Sequence, residues 1–168
     1  EKIYIEENEL TGTAPELQGS PEVTLLSAAN NKLESFPAYW GTVTNAGVNT
    51  AIPKLKEVKL SHNRLNNNGA GMTTALSSAP KIEKLELDHN RITTEKIPNT
   101  PYLENLHVML SYGLPQSLKT LTLAHNRLNK QFCGTSVAAG NANACGGKYG
   151  AFPSMETLDI SNNKNLTG

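Results

Sequence analysis

Large rings are scarce in this chain. Aromatic residues make up 5% of its 168 positions and there is one tryptophan, so its core must be built mainly from aliphatic side chains. No apolar run approaches the roughly 20 residues of a membrane-spanning helix, so this segment is not expected to insert into a bilayer. Excess charge is absent too: Lys plus Arg and Asp plus Glu number 15 each, which removes bulk attraction to nucleic acid or to an anionic membrane. The motifs of catalysis are missing, with no G-x-S-x-G, no phosphate-binding glycine loop and no H-E-x-x-H. We therefore expect a chain that is not an enzyme and needs no cofactor. Cysteine is limited to Cys133 and Cys145, with no Cys-x-x-Cys and no histidine close by to complete a metal set.

What the chain has instead is one phrase, repeated. In Leu55-Lys56-Glu57-Val58-Lys59-Leu60-Ser61-His62-Asn63-Arg64-Leu65, apolar residues stand eight, five and three positions before Asn63 and two after it. The spacing returns at Ile82-Leu85-Leu87-Asn90-Ile92 and Leu118-Leu121-Leu123-Asn126-Leu128, and with small changes at Val23-Leu26-Ala28-Asn31-Leu33. Met155-Leu158-Ile160-Asn163 closes one residue late, on Leu166, and Ile3-Ile5-Asn8-Leu10 is a copy without its beginning. Residues five and three before each asparagine alternate with polar ones, as a half-buried strand requires. One such strand cannot bury its apolar side alone, whereas six stacked in parallel, roughly 4.8 Å apart, form one continuous core. An asparagine among leucines is costly to bury unless its amide is paired. The six residues Asn8, Asn31, Asn63, Asn90, Asn126 and Asn163 therefore read as a structural ladder bonded to the backbone of neighbouring turns.

The phrase resembles the leucine-rich repeat, L-x-x-L-x-L-x-x-N-x-L. The resemblance implies an α/β solenoid with a curved parallel sheet on the concave side and loops and short helices on the convex side. It implies one domain over residues 1–168, of about six repeats. Strands are expected near residues 3–5, 25–28, 57–60, 84–87, 120–123 and 157–160, with Leu60, Leu87, Leu123 and Ile160 nearly inaccessible in one stacked column. Neither end carries a polar capping segment, and the chain is expected to be part of a longer solenoid.

Leu10-Thr11-Gly12-Thr13-Ala14-Pro15 resembles the L-T-G-x-I-P segment of plant-type repeats, which forms a second, outer strand. Asn165-Leu166-Thr167-Gly168 begins the same phrase, and with only two copies no long second sheet is expected. Pro21, Pro53, Pro80 and Pro153 each stand two residues before a strand phrase, and Pro115 three before; proline suits a strand entrance. Successive asparagines from Asn8 to Asn163 are 23, 32, 27, 36 and 37 residues apart. Regular repeats take about 20 to 29, so the surplus must leave as outer loops. Residues 38–51, with Trp40, form one excursion. Residues 66–79 form another, opening on an Asn-rich turn with a helical turn or two expected over 72–78. For residues 101–112 a strand and an outer helix compete, and the helix has the better punctuation: Thr100, Pro101, Gly113 and Pro115. Residues 129–150 are the longest excursion, and a Cys133–Cys145 disulfide is expected to close it, placing the protein outside a reducing cytosol.

Aligned repeats stack their variable residues into columns. One holds Lys56, Glu83, Lys119 and Glu156; another holds Tyr4, Ser27, Lys59, Glu86, Thr122 and Asp159. Neighbouring strands thus often carry opposite charges, which favours cross-strand pairing, although such exposed pairs contribute little. The bland reading is a solvated, self-paired face. The functional one is a polar docking surface that also includes the loop residues Trp40 and Tyr149. His62, His89 and His125 share a column just before the asparagine, where the other copies place Glu7 or Asn, so no carboxylate stands beside the histidines there and no metal site is expected. Asn165-Leu166-Thr167 is the sole N-glycosylation sequon. The expectation is a non-catalytic binding module of an exported or cell-surface protein, recognising a protein or glycan, with neither nucleic acid nor membrane as partner. Two alternatives stay open. One is the substrate-recognition arm of a larger enzyme, because Leu114-Pro115-Gln116-Ser117-Leu118 resembles the L-P-x-S-L phrase of bacterial effector repeats. The other is a structural component of a surface assembly.

Overall fold

The computed structural model describes residues 1–17, 20–37, 40, 44–45, 48–49, 54–66, 72–77, 79–94, 114–131 and 154–167. In chain order the elements are β1 (Lys2–Tyr4), β2 (Thr11–Thr13), β3 (Leu25–Ser27), β4 (Lys32–Ser35), β5 (Thr44–Asn45), β6 (Val48–Asn49) and β7 (Glu57–Lys59). They continue with α1 (Met72–Ser77), β8 (Lys84–Glu86), β9 (Thr120–Thr122), β10 (Asn129–Gln131), β11 (Thr157–Asp159) and β12 (Asn165–Thr167).

Six strands form one sheet in the order β1-β3-β7-β8-β9-β11, and every pairing is parallel. Its register is the register of the phrase. Ile3, Leu26, Val58, Leu85, Leu121 and Leu158, each five residues before an asparagine, lie opposite one another along the sheet. Leu26, Val58, Leu85 and Leu121 have no exposed surface, and neither have Leu60, Leu87 and Leu123 in the column two residues on. Strand order therefore follows chain order, and each coil covers the apolar side of the one before.

The outermost coils differ. Ile160 is half-buried rather than inaccessible, because β11 is the last strand of the sheet and one side of its column has no neighbour. Asn8 is exposed, and its amide donates only within its own coil, to the carbonyls of Ile5 (3.3 Å) and Glu6 (2.8 Å). It has the sequence of a ladder residue without the coil to bond to, since β1 is the other edge strand.

Three of the sheet strands, β3, β8 and β9, are reached through a tight turn. Val23, Ile82 and Leu118 donate their N–H back to the carbonyls of Ser20, Ala79 and Pro115 at 3.2, 3.3 and 3.1 Å. Pro21 and Pro80 occupy the second turn position, where their fixed φ is favourable. Pro115 occupies the first, which accounts for its extra residue. Proline thus bends the chain into the strand here, more than it extends it. Behind the sheet, α1 covers the core as the sequence spacing anticipates: Met72, Ala75, Leu76 and Ala79 are all buried. Four further short strands pair elsewhere. β5 and β6 form an antiparallel pair, and β2–β4 and β10–β12 form two parallel ones. β4 and β10 belong to repeats without the L-T-G phrase. The outer pairing therefore stays short, as anticipated, but does not require that phrase on both strands.

The 101–112 segment, Tyr149, and Cys133 with Cys145 lie outside the described residues.

Candidate functional site

The asparagine ladder separates inside from outside. Asn31, Asn63, Asn90, Asn126 and Asn163 are 7 to 8% exposed, and such burial requires that both ends of the amide be paired. Nδ2 of Asn90 donates to the Leu60 carbonyl of the preceding coil at 3.0 Å, and to Leu87 and Asp88 of its own coil at 3.0 and 3.3 Å. Its Oδ1 accepts from the Leu65 N–H at 2.9 Å. Asn31, Asn63, Asn126 and Asn163 repeat the arrangement, with Oδ1 accepting from Leu10, Leu33, Ile92 and Leu128. Each amide therefore joins two coils at the point where the chain leaves the sheet.

The residue before each asparagine is held in the left-handed region. Glu7, Asn30, His62, His89, His125 and Asn162 have φ between 54° and 57°. Asn and His are enriched in that conformation among residues with a side chain, whereas branched residues are strained there. This explains the histidine column without a metal. The rings stack: His62 on His89 and His89 on His125, both at 4.2 Å between centroids, with planes 12° and 10° apart. Imidazole lone pairs lie in the ring plane, so parallel stacked rings do not converge on one ion. Among the described residues no group of three His, Cys, Asp or Glu is placed to hold a metal. Asn162 continues the row, its Nδ2 at 3.2 Å from Nε2 of His125. Burial under its neighbours, followed by the proximity of His62 and His125, lowers the pKa of His89 below the usual imidazole value, with Asp88 opposing.

The sheet presents the charged columns outward. Glu83 binds Lys56 on one side at 2.9 Å and Lys119 on the other at 3.0 Å. These two bonds hold the Glu83 carboxyl down at about 2. Lys84 likewise sits between Glu57 (3.3 Å) and Glu86 (2.7 Å), and Lys59 reaches Glu57 at 3.4 Å. Its hydrogen bond to Glu86 is the main cause that raises the pKa of Lys84. Nearer the asparagines, Asp88 accepts from Thr122 Oγ1 and, at 2.9 Å, from the Ala124 N–H. Asp159 accepts from the Ser161 N–H at 2.9 Å, which lowers its pKa. Tyr4 projects from the edge strand and is 59% exposed. Tyr4, Lys56, Lys59, Glu83, Glu86, Lys119, Thr122, Glu156 and Asp159 thus lie along one sheet.

Trp40 does not join them. It has no exposed surface, its Nε1 donates to the Pro15 carbonyl at 2.9 Å, and Phe36 meets it edge-on at 6.1 Å. Its place in a glycine- and threonine-rich excursion suggested an exposed loop residue. The ring instead plugs the core between coils and satisfies its one donor there.

One column escaped the sequence reading. The residue after each of the five buried asparagines is Lys32, Arg64, Arg91, Arg127 or Lys164, a cation in five successive coils, whereas Glu9 follows the exposed Asn8. Arg64, Arg91, Arg127 and Lys164 are exposed, and no described residue forms an ion pair with them. The signal was present in the threefold His-Asn-Arg. It stands outside the sheet columns, which precede the asparagine. Among the described residues no helix is long and apolar enough to cross a membrane.

Comparison with known proteins agrees with this geometry. The family model described as "Leucine Rich repeat" matches residues 51–72. No curated protein matches the chain. Among solved structures, the chain is similar to the LRR ectodomain of the receptor kinase SOBIR1 from Arabidopsis thaliana, with a TM-score of 0.55 at 19% identity, covering 99% of this chain and 72% of that one. It is also similar to the BIR2 ectodomain from the same plant, with a TM-score of 0.53 at 20% identity, covering 98% and 68%.

Proposed function

We propose that this leucine-rich repeat solenoid is a non-catalytic binding module, one domain over residues 1–168, that docks a protein ligand on the outward face of its six-stranded sheet, outside the cell. The observation that carries this reading is the fixed charge pattern of that face. Glu83 is held between two lysines and Lys84 between two glutamates, so long side chains that would otherwise lose rotamer freedom on binding are already ordered. A fixed pattern of both signs selects a partner by complementarity and penalises mismatched ones. The location draws support from the two similar folds, both ectodomains. Adhesion and scaffolding of a surface assembly remain uses to which such a module is suited.

Photo-crosslinkers placed at Lys59 or Thr122 and exposed to extracts of the source tissue test the face. A defined protein should be captured there, and not when the crosslinker replaces Lys81 on the strand-entrance turn. Equal capture at both places would remove the proposal. For location, protein freshly isolated from its native source should show no alkylated thiol without reductant, because Cys133 and Cys145 are joined; two modified thiols would refute both the bridge and its use as an argument for a surface protein.

A further inference from the structure

We infer that the flank beside the sheet, the column Lys32, Arg64, Arg91, Arg127 and Lys164, is a docking rail for a linear acidic polysaccharide carrying one carboxylate per sugar. On the sheet, every lysine from Lys56 to Lys119 in the charged columns has a carboxylate partner. On the flank only Lys32 has one, Glu9 at 3.0 Å. Four successive coils therefore display cations without a counter-charge among the described residues, one per coil. Coil spacing is about 4.8 Å, well inside the roughly 8 Å over which physiological salt screens charge. Like charges stacked so closely oppose folding. An anionic ligand lying along the column removes that cost.

A rigid column of cations calls for a linear polyanion. Arg64, Arg91 and Arg127 are set by the same backbone bond, each N–H donating to a carbonyl of the preceding coil (Leu33, Leu65 and Ile92) at 2.8 to 2.9 Å. The cations are thus repeated by a rigid ladder and not by loop geometry. An extended acidic peptide supplies carboxylates without the hydroxyls that a uronate unit places beside each one. A single nucleic-acid strand is normally gripped by aromatic platforms, and none of the residues flanking the ladder asparagines is Phe, Trp or Tyr. A uronate pyranose unit offers a carboxylate together with hydroxyls. The coils of Arg64, Arg91 and Arg127 match that pair. Each offers a cation after the buried asparagine and an exposed hydrogen-bonding imidazole before it, on His62, His89 and His125.

The test uses the full chain and oligogalacturonates of increasing length, followed by calorimetry at physiological salt. Affinity should rise with length until the oligomer spans Arg64 to Lys164 and then level off. The fully methyl-esterified oligomer should not bind. Replacing Arg64, Arg91 and Arg127 together by Gln should weaken binding by at least about tenfold, equivalent to about 1.4 kcal/mol, with unchanged circular dichroism. Replacing the same three by Lys should retain most of the binding, and Lys54→Gln with Lys81→Gln should change nothing. No binding by the parent chain would overturn the proposal, as would equal binding of the ester, equally tight binding of polyglutamate, or an unaffected Gln variant. The face-docking reading is untouched by any of these results, since it rests on other residues.

Discussion

The sheet face and the flank are built from the same repeat, a few residues apart, and they treat charge in opposite ways. On the face, sign alternates from coil to coil, so Lys56, Glu83 and Lys119 neutralise one another across strands. On the flank, sign is constant, and Arg64, Arg91 and Arg127 follow one another without a carboxylate between them. A solenoid stacks whatever each repeat places at a given position. Alternation therefore converts a charged column into internal cohesion, whereas repetition converts it into a field directed at solvent. The first needs no partner to be stable. The second gains from one.

The largest effect should come from the interior to which both regions are fastened. Leu87 has no exposed surface, and Leu87→Ala should cost roughly 2 to 5 kcal/mol in a denaturant melt. Asn90 lies under the junction of face and flank, and Asn90→Ala strands the Leu65 N–H and leaves the Leu60 carbonyl with Asn63 as its one amide donor. A loss of about 1 to 3 kcal/mol is expected. Two variants within experimental error of the parent would mean that the stacked coils are not the common support.

Charge reversal sharpens the contrast directly. Glu83→Lys places a third ammonium between Lys56 and Lys119 and should lower Tm, while Arg91→Glu places a carboxylate between two guanidiniums and should raise it. Shifts of the same sign in thermal melts at low salt would erase the distinction drawn here. Both shifts should shrink as salt is added.

Smaller effects appear on acidification. The folded-state pKa of Glu83 lies below the ordinary 4.5, at about 2, so the stability it contributes is fully present above that ordinary value and is lost as pH falls toward about 2. Carboxyl NMR should find its midpoint near the lower figure, and Lys119→Met should raise it. His89 on the flank is also depressed, by burial and by its stacked neighbours, so the neutral ring is the form that favours folding. Its contribution is present above 6.5 and lost as pH falls below it. Proton NMR should place its midpoint below the ordinary imidazole value; a midpoint at or above that value would show that the rings do not stack in solution.

Much of this was legible from residue spacing alone. Four aliphatic columns, the inward asparagine and the helical run from Met72 follow from periods that physics restricts to strands and helices. Parallel order follows from the length of the connections, because sheet strands separated by twenty residues or more have room to return and stack in the same direction. The charged columns of the face were legible for the same reason, since identical position in each repeat means adjacency in the stack.

Other features depended on the assembled coils. Whether an asparagine is buried cannot be read from the phrase: Asn8 and Asn90 share it, and only Asn90 has a preceding coil to pair with. Trp40 lies in a segment of loop-like composition, and its burial was decided by a gap between coils and by a free carbonyl at Pro15, both distant in sequence. The histidines recur because the backbone before each asparagine turns left-handed, a constraint visible only once the turn exists. By itself, then, the sequence determined what is periodic: the coil, its apolar columns and the signs of its charges. The tertiary structure decided what depends on having a neighbour, namely which polar groups are paired and which apolar ones are covered. The physical reason is that hydrogen bonds and burial belong to pairs of coils, and a repeat read alone contains one partner of each pair.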